Sequence, residues 1–163
     1  SRLEPENNVD VIIDGHKRSG GKYPLVIVGN LQETNYVNLL MESQSDEIIF
    51  LDGIYDKYEL SVLRANAFSY FHGHAVGGTN PSLLEAMASK NLCICHDNEF
   101  NKALVGTNGL YFKSVEEIAK IIPEIEANDY SKMKEGGFEL IKRYYNWETI
   151  GERYIDYFNK IIK

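Results

Sequence analysis

Residues 72–87 read HGHAVGGTNPSLLEAM, gathering two imidazoles, a glycine pair, a helix-capping asparagine and a carboxylate into one strand-to-helix turn. Asn80 is a favoured N-cap and Pro81 a favoured first helical residue, so a helix is expected to start there with Ser82 in its first turn. Gly77 and Gly78 come just before. Glycines at that point let the backbone take positive φ and let a ligand reach the main chain, while unbonded amides and the helix dipole favour an anion. Gly77, Gly78, Thr79 and Asn80 are therefore candidate phosphate contacts. A ligand-free tight turn is the competing reading, because GGTNP has neither the GKS/T of a P-loop nor GxGxxG spacing.

Glu85 falls on the second turn of the expected helix, among apolar and small neighbours. Packed against a sheet it would need a partner, since an unpaired buried carboxylate is costly; facing solvent, it would not. His72 and His74 share one strand face if the strand runs that far. They suit polar contacts to a ligand or a neighbouring domain, or a structural role; a metal pair lacks a third ligand nearby. Cys93 and Cys95 point the same way on a strand, cannot easily bond to each other, and read as buried thiols in a reducing compartment.

The elements that must position these residues alternate regularly. A helix is expected from Pro5 to about His16, where Val9, Ile12 and Ile13 recur at helical spacing. The run YPLVIVG (23–29) suits a strand covered on both faces. Helices are expected near 35–44, 56–66, 80–90 and 98–105, with strands at 47–51, 67–71, 91–95 and 110–112. Three helices close the chain at about 114–126, 130–144 and 147–162. This alternation predicts an α/β, Rossmann-like doubly wound parallel sheet. Ligands in such sheets bind beyond the carboxyl ends of the strands, here the loops at 29–35, 52–56, 71–81 and 96–98.

The chain has 163 residues, 44% hydrophobic and 25% charged, which suits one domain. A net charge of −7 disfavours nucleic acid and anionic membrane as partners. No stretch has the apolar length of a spanning helix. The start SRLEPENN resembles the end of a strand and suggests a fragment of a longer protein. Aromatic and aliphatic residues in YYNWETIGERYIDYFNKIIK, among them Tyr154, Tyr157, Phe158 and Ile161, are expected to pack.

Four segments in order resemble the C-terminal, donor-binding domain of the group 1 retaining glycosyltransferases of GT-B fold. SRLEPENNVDVIIDGH is similar to that family's opening GRL-x-x-E-K-G-x-D-x-L-I-x-A, and YPLVIVGN to its second strand. IIFLDGIYDKYELSVLRANAFSYFHGH is similar to V-x-F-L-G-x-V-x-x-x-E-L-x-x-L-Y-x-x-A-D, and GGTNPSLLEAMA to E-G-F-G-x-x-x-x-E-A-M-A. The resemblance covers roughly residues 1–112. It implies that Glu85 holds the ribose hydroxyls, that Gly78, Thr79 and Asn80 approach the diphosphate, that Arg2 neutralises the leaving phosphate, and that Ile54 and Tyr55 lie beside the base.

Two positions depart from the pattern: Gly77 replaces the first glutamate of E-x7-E, and Asn7 replaces the lysine that follows the arginine by five residues. HGH-x-VGGTNPSLLEA and RLEPENN further resemble bacterial polysaccharide rhamnosyltransferases, which brings His72, His74 and Asn80 forward as sugar or phosphate contacts. The resemblance implies dTDP-rhamnose or a UDP-sugar as donor, no further cofactor and no metal, and a glycan or lipid-linked acceptor bound by an absent N-terminal domain. It also implies a cytoplasmic enzyme, peripheral at the inner membrane face through the rest of the protein. A non-catalytic nucleotide-sugar-binding module, another GT-B enzyme such as an epimerase, and an unrelated regulatory domain are the alternatives.

Overall fold

The computed structural model describes residues 2–162; Ser1 and Lys163, the ends of the expected domain, lie outside the described residues. Five short strands alternate with eight α-helices: α1 (Val9–Ser19), β1 (Leu25–Val28), α2 (Asn35–Met41), β2 (Ile48–Leu51), α3 (Lys57–Asn66), β3 (Ser69–His72), α4 (Pro81–Ala88), β4 (Leu92–His96), α5 (Glu99–Val105), β5 (Gly109–Phe112), α6 (Val115–Ala127), α7 (Ser131–Tyr144) and α8 (Trp147–Ile161). Every strand pairing is parallel. The strands form two ladders, β1 with β2 and β3–β4–β5, with Leu25 opposite Ile48 and His72 opposite Cys95.

The central strand β4 explains the layering. Its alternate residues feed opposite faces, as the period of two requires. Leu92 and Ile94 join Ile12, Phe112, Ile118, Ile122 and Ile125, placing α1 and α6 on one side. Cys93 and Cys95 join Leu83, Ala86, Met87, Leu104 and Val105, placing α4 and α5 on the other. The Leu3, Val9, Ile13, Ile27, Val37, Leu40, Ile48 and Phe50 cluster fills the β1–β2 half. Leu25 packs against both that cluster and the α6 cluster, and Tyr23 stacks on Phe68 at 4.7 Å, tying the halves together. Both cysteines are free and buried, and burial pushes the Cys93 thiol up to about 12.

Two expectations need correction. The helix expected from Pro5 to His16 is a 3₁₀ turn, Pro5–Asn7, followed by α1. Asn8 separates them in the left-handed region (φ 49°), which an asparagine tolerates better than most residues. The apolar face of α8 is not packed: Tyr154, Tyr157, Phe158 and Ile161 are each more than half exposed. Hydrophobic periodicity sets a helix's apolar face but does not say what covers it. Among the described residues, that face makes its ring contacts within itself, Tyr154 and Tyr157 each against Phe158. No described helix is long and apolar enough to cross a membrane.

Candidate functional site

A concavity of about 110 Å³ opens at the carboxyl ends of β3 and β4, lined by His72, His74, the 76–81 turn, Asn98, Phe100 and Asn101. This is where a parallel α/β sheet places its ligands. The turn has the expected form. Asn80 caps α4, its Oδ1 accepting from the Ser82 amide at 3.0 Å and from the Ser82 hydroxyl at 2.7 Å. Gly77 sits at φ +115°, a conformation that L side chains rarely adopt. The glutamate that the resemblance puts at this position would strain the turn as it stands here. Among the described residues, the amides of Gly77, Gly78 and Thr79 donate to no backbone carbonyl, which leaves them open to a ligand at the start of α4. Asn80→Ala should destabilise the fold by about 1 kcal/mol through the lost cap. Urea unfolding checks this, with faster hydrogen exchange at the Ser82 amide as its local signature.

The two histidines form the floor. His72 is 1% exposed, and its ring lies parallel to that of His74, centroids 4.3 Å apart and planes 5° from each other. Among the described residues, neither His72 ring nitrogen nor His74 Nδ1 has a hydrogen-bond partner. Burial, then the neighbouring His74, pushes His72 down to about 3. Burial also lowers His74, assisted by the positive charge of Arg2 and opposed by Glu6. Both rings are thus neutral near pH 7.

Asparagine amides fix the segment that carries these rings. Asn98 caps α5 by accepting from the Asn101 amide at 2.9 Å, and its Nδ2 donates to the His74 carbonyl at 2.9 Å. Asn101 donates to the carbonyls of His74 and His96. From the other side, Asn8 Nδ2 donates to the Gly73 carbonyl at 2.7 Å, and the Ala75 amide donates to the Glu6 carbonyl at 2.9 Å. Asn101 and Asn8 did not stand out in the sequence. The one available signal was Asn98, which lies in a loop at the end of a strand and has the N-cap type.

The other candidates lie outside the concavity. Glu85 faces solvent, its side chain 56% exposed, which settles the choice left open by its apolar neighbours; Arg64 on α3 binds it at 2.8 Å. Tyr55 is 86% exposed, with its ring folded against Gly53, and Ile54 is half-buried beside it. Arg2 is exposed, and its carbonyl accepts from Asn7 Nδ2 at 2.6 Å. Asn7 itself is 6% exposed. The position where the resemblance expects a lysine is therefore occupied by a buried amide that holds the segment containing Arg2.

Parallel strands, helices on both faces and a glycine turn at the strand ends define a Rossmann-like α/β domain, and the solved structures it resembles are GT-B glycosyltransferases, consistent with the C-terminal half of that fold. The chain belongs to the family described as glycosyl transferases group 1, whose model matches residues 1–139. Among solved structures it is similar to Alr3699/HepE from Anabaena, crystallised with UDP (20% identity, TM-score 0.86, covering 98% of this chain and 47% of that one). It is also similar to the sucrose-phosphate synthase of Thermosynechococcus elongatus (18%, 0.85, 99% and 44%). A third similar structure is the C-terminal domain of a group 1 family protein, LpcC, from Francisella tularensis (20%, 0.77, 90% and 83%). The chain thus spans about half the length of the first two. No curated protein sequence matches it.

Proposed function

We propose that this chain is the donor-binding half of a retaining glycosyltransferase that uses a nucleoside diphosphate sugar to build a bacterial surface polysaccharide. The reading extends to a rhamnosyl or other hexosyl donor, with dTDP or UDP as the carrier, and to a cytoplasmic protein peripheral at the inner membrane. The observation that carries it is the turn at Gly77–Asn80, whose open amides lie next to a neutral polar floor. HepE was also crystallised with UDP-glucose, which supports the same class of ligand here.

In this reading the diphosphate rests on the amides of Gly77, Gly78 and Thr79 at the start of α4. These are fixed before negative charge grows on the leaving group, so little reorganisation accompanies bond cleavage. Arg2 adds a positive charge on the same side, and the sugar becomes oxocarbenium-like as its bond to the diphosphate lengthens. The acceptor attacks from the face the diphosphate leaves. Acceptor and linkage belong to an N-terminal half, for which the uncovered aromatic face of α8 is a suitable contact.

Glu85, oriented by Arg64, is the proposed ribose contact. Calorimetric titration with dTDP, UDP, GDP and ADP tests the reading and names the base. Glu85→Ala should weaken the best nucleotide about tenfold, the effect of losing a hydrogen bond to a charged group. The fold should survive, because Glu85 is more than half exposed and an ion pair at the surface contributes about 1 kcal/mol or less. Unchanged affinity in the variant would remove Glu85 from the site.

A second reading rests on Gly77 and Asn7. A module that binds the donor without transferring sugar would tolerate both departures, and turnover in the full-length protein separates it from an enzyme.

A further inference from the structure

Accepting that the concavity holds the diphosphate and sugar of a nucleoside diphosphate sugar, we infer that His72 binds a hydroxyl of the sugar, backed by His74, and that the phosphates stay on the glycine turn. Three observations lead to this division. First, His72 is almost wholly buried, lines the concavity, and among the described residues has no partner at either ring nitrogen. A buried polar group without a partner is costly, and one left at the wall of an opening is matched by whatever fills it.

Second, the two rings lie face to face at 4.3 Å, so they cannot both carry a proton, and burial of His72 keeps its own ring uncharged. A neutral imidazole presents one N–H donor and one bare acceptor nitrogen. A hydroxyl answers either, because it both donates and accepts. A phosphate at neutral pH only accepts and would leave the bare nitrogen facing negative charge. Third, the Gly77–Thr79 amides in the same concavity offer donors alone, the complementary chemistry. The site therefore separates into a donor-only edge suited to an anion and a donor-acceptor floor suited to an uncharged polyol. Without a carboxylate at Gly77, the floor makes the sugar contact with no charge of its own.

The test compares nucleotides with and without sugar: UDP against UDP-glucose, and dTDP against dTDP-rhamnose, titrated into the protein and into His72→Phe. Phenylalanine keeps a flat ring against His74 and removes both nitrogens. The nucleotide sugar should bind the native protein more tightly than the bare nucleotide, and the variant should lose this gain, about tenfold, while keeping its affinity for the nucleotide. A gain that survives in the variant, or no gain in the native protein, would overturn the inference and leave the nucleotide site standing. No binding by any nucleotide would overturn both.

A second measurement needs no variant. The ¹⁵N signals of the His72 ring should move when the nucleotide sugar is added and stay still with the nucleotide alone. Equal movement with both would assign the imidazoles to the phosphates and refute the proposal.

Discussion

Gly73→Ala is expected to be the most damaging single-methyl substitution in the site. A Cβ there would overlap the Asn7 carbonyl oxygen, a backbone atom that cannot swing aside as a side chain would. Relief requires the 2–8 segment to lift from the 72–75 segment. That movement breaks the Asn8–Gly73 hydrogen bond and the one from the Ala75 amide to Glu6. Steric overlap and the lost bonds together should cost about 3 kcal/mol, at the upper end for overpacking. Denaturant unfolding gives the total. Faster exchange of the Ala75 amide, with the exchange of β4 retained, would place the damage at this seam; stability within about 0.5 kcal/mol of the native protein would contradict the close approach.

The second large effect is a loss of stability in mild acid. His72 binds its proton only near pH 3 in the folded protein, because burial and His74 disfavour the charged ring, whereas an unfolded histidine does so near 6.5. Above about 6.5 neither state is protonated and the contribution is complete. As pH falls below 6.5 the unfolded chain gains a proton that the folded chain refuses, so stability falls by about 1.4 kcal/mol per pH unit for each histidine so held. His74 acts in the same direction. The window from pH 6.5 to 5 isolates the effect, since carboxylates such as Asp97, held low by Lys102, are still ionised there. His72→Phe should flatten the slope in this window. Equal slopes in the two proteins would mean that His72 is not kept neutral.

The sequence made the scaffold legible wherever a residue's neighbours along the chain decide its state. The capped start of α4 at Asn80–Pro81 and the buried β4 run LCIC are local facts, and both occur as expected. Glu85 shows where that logic ends. Its apolar neighbours fill one helical face, yet its own position points to solvent, and its partner Arg64 is a residue of another helix. The break at Asn8 was hidden for the same reason: it is set by a bond to Gly73, 65 positions away. Spacing puts His72 and His74 on one strand face if the strand runs that far; the structure ends β3 at His72 and stacks the rings across the first residues of the loop. A pattern of two cannot show such a stack, beside which the amides of Asn98 and Asn101 both hold the His74 carbonyl.

The packing of α1 on α6 sets the order of events on the ribosome. Ile12 finds its cover in Ile118 and Ile122, and Arg18 pairs with Glu116, 98 positions further along. At roughly 5–20 residues per second, α1 waits about 5–20 s between its own synthesis and that of its partner. During that interval the Ile12 side of α1 is without its α6 cover, a natural target for a holding chaperone, while Val9 and Ile13 already have partners in the β1–β2 half. A message that slows translation between α1 and α6 would lengthen this vulnerable period and lower the yield of soluble protein, with no change in the finished molecule.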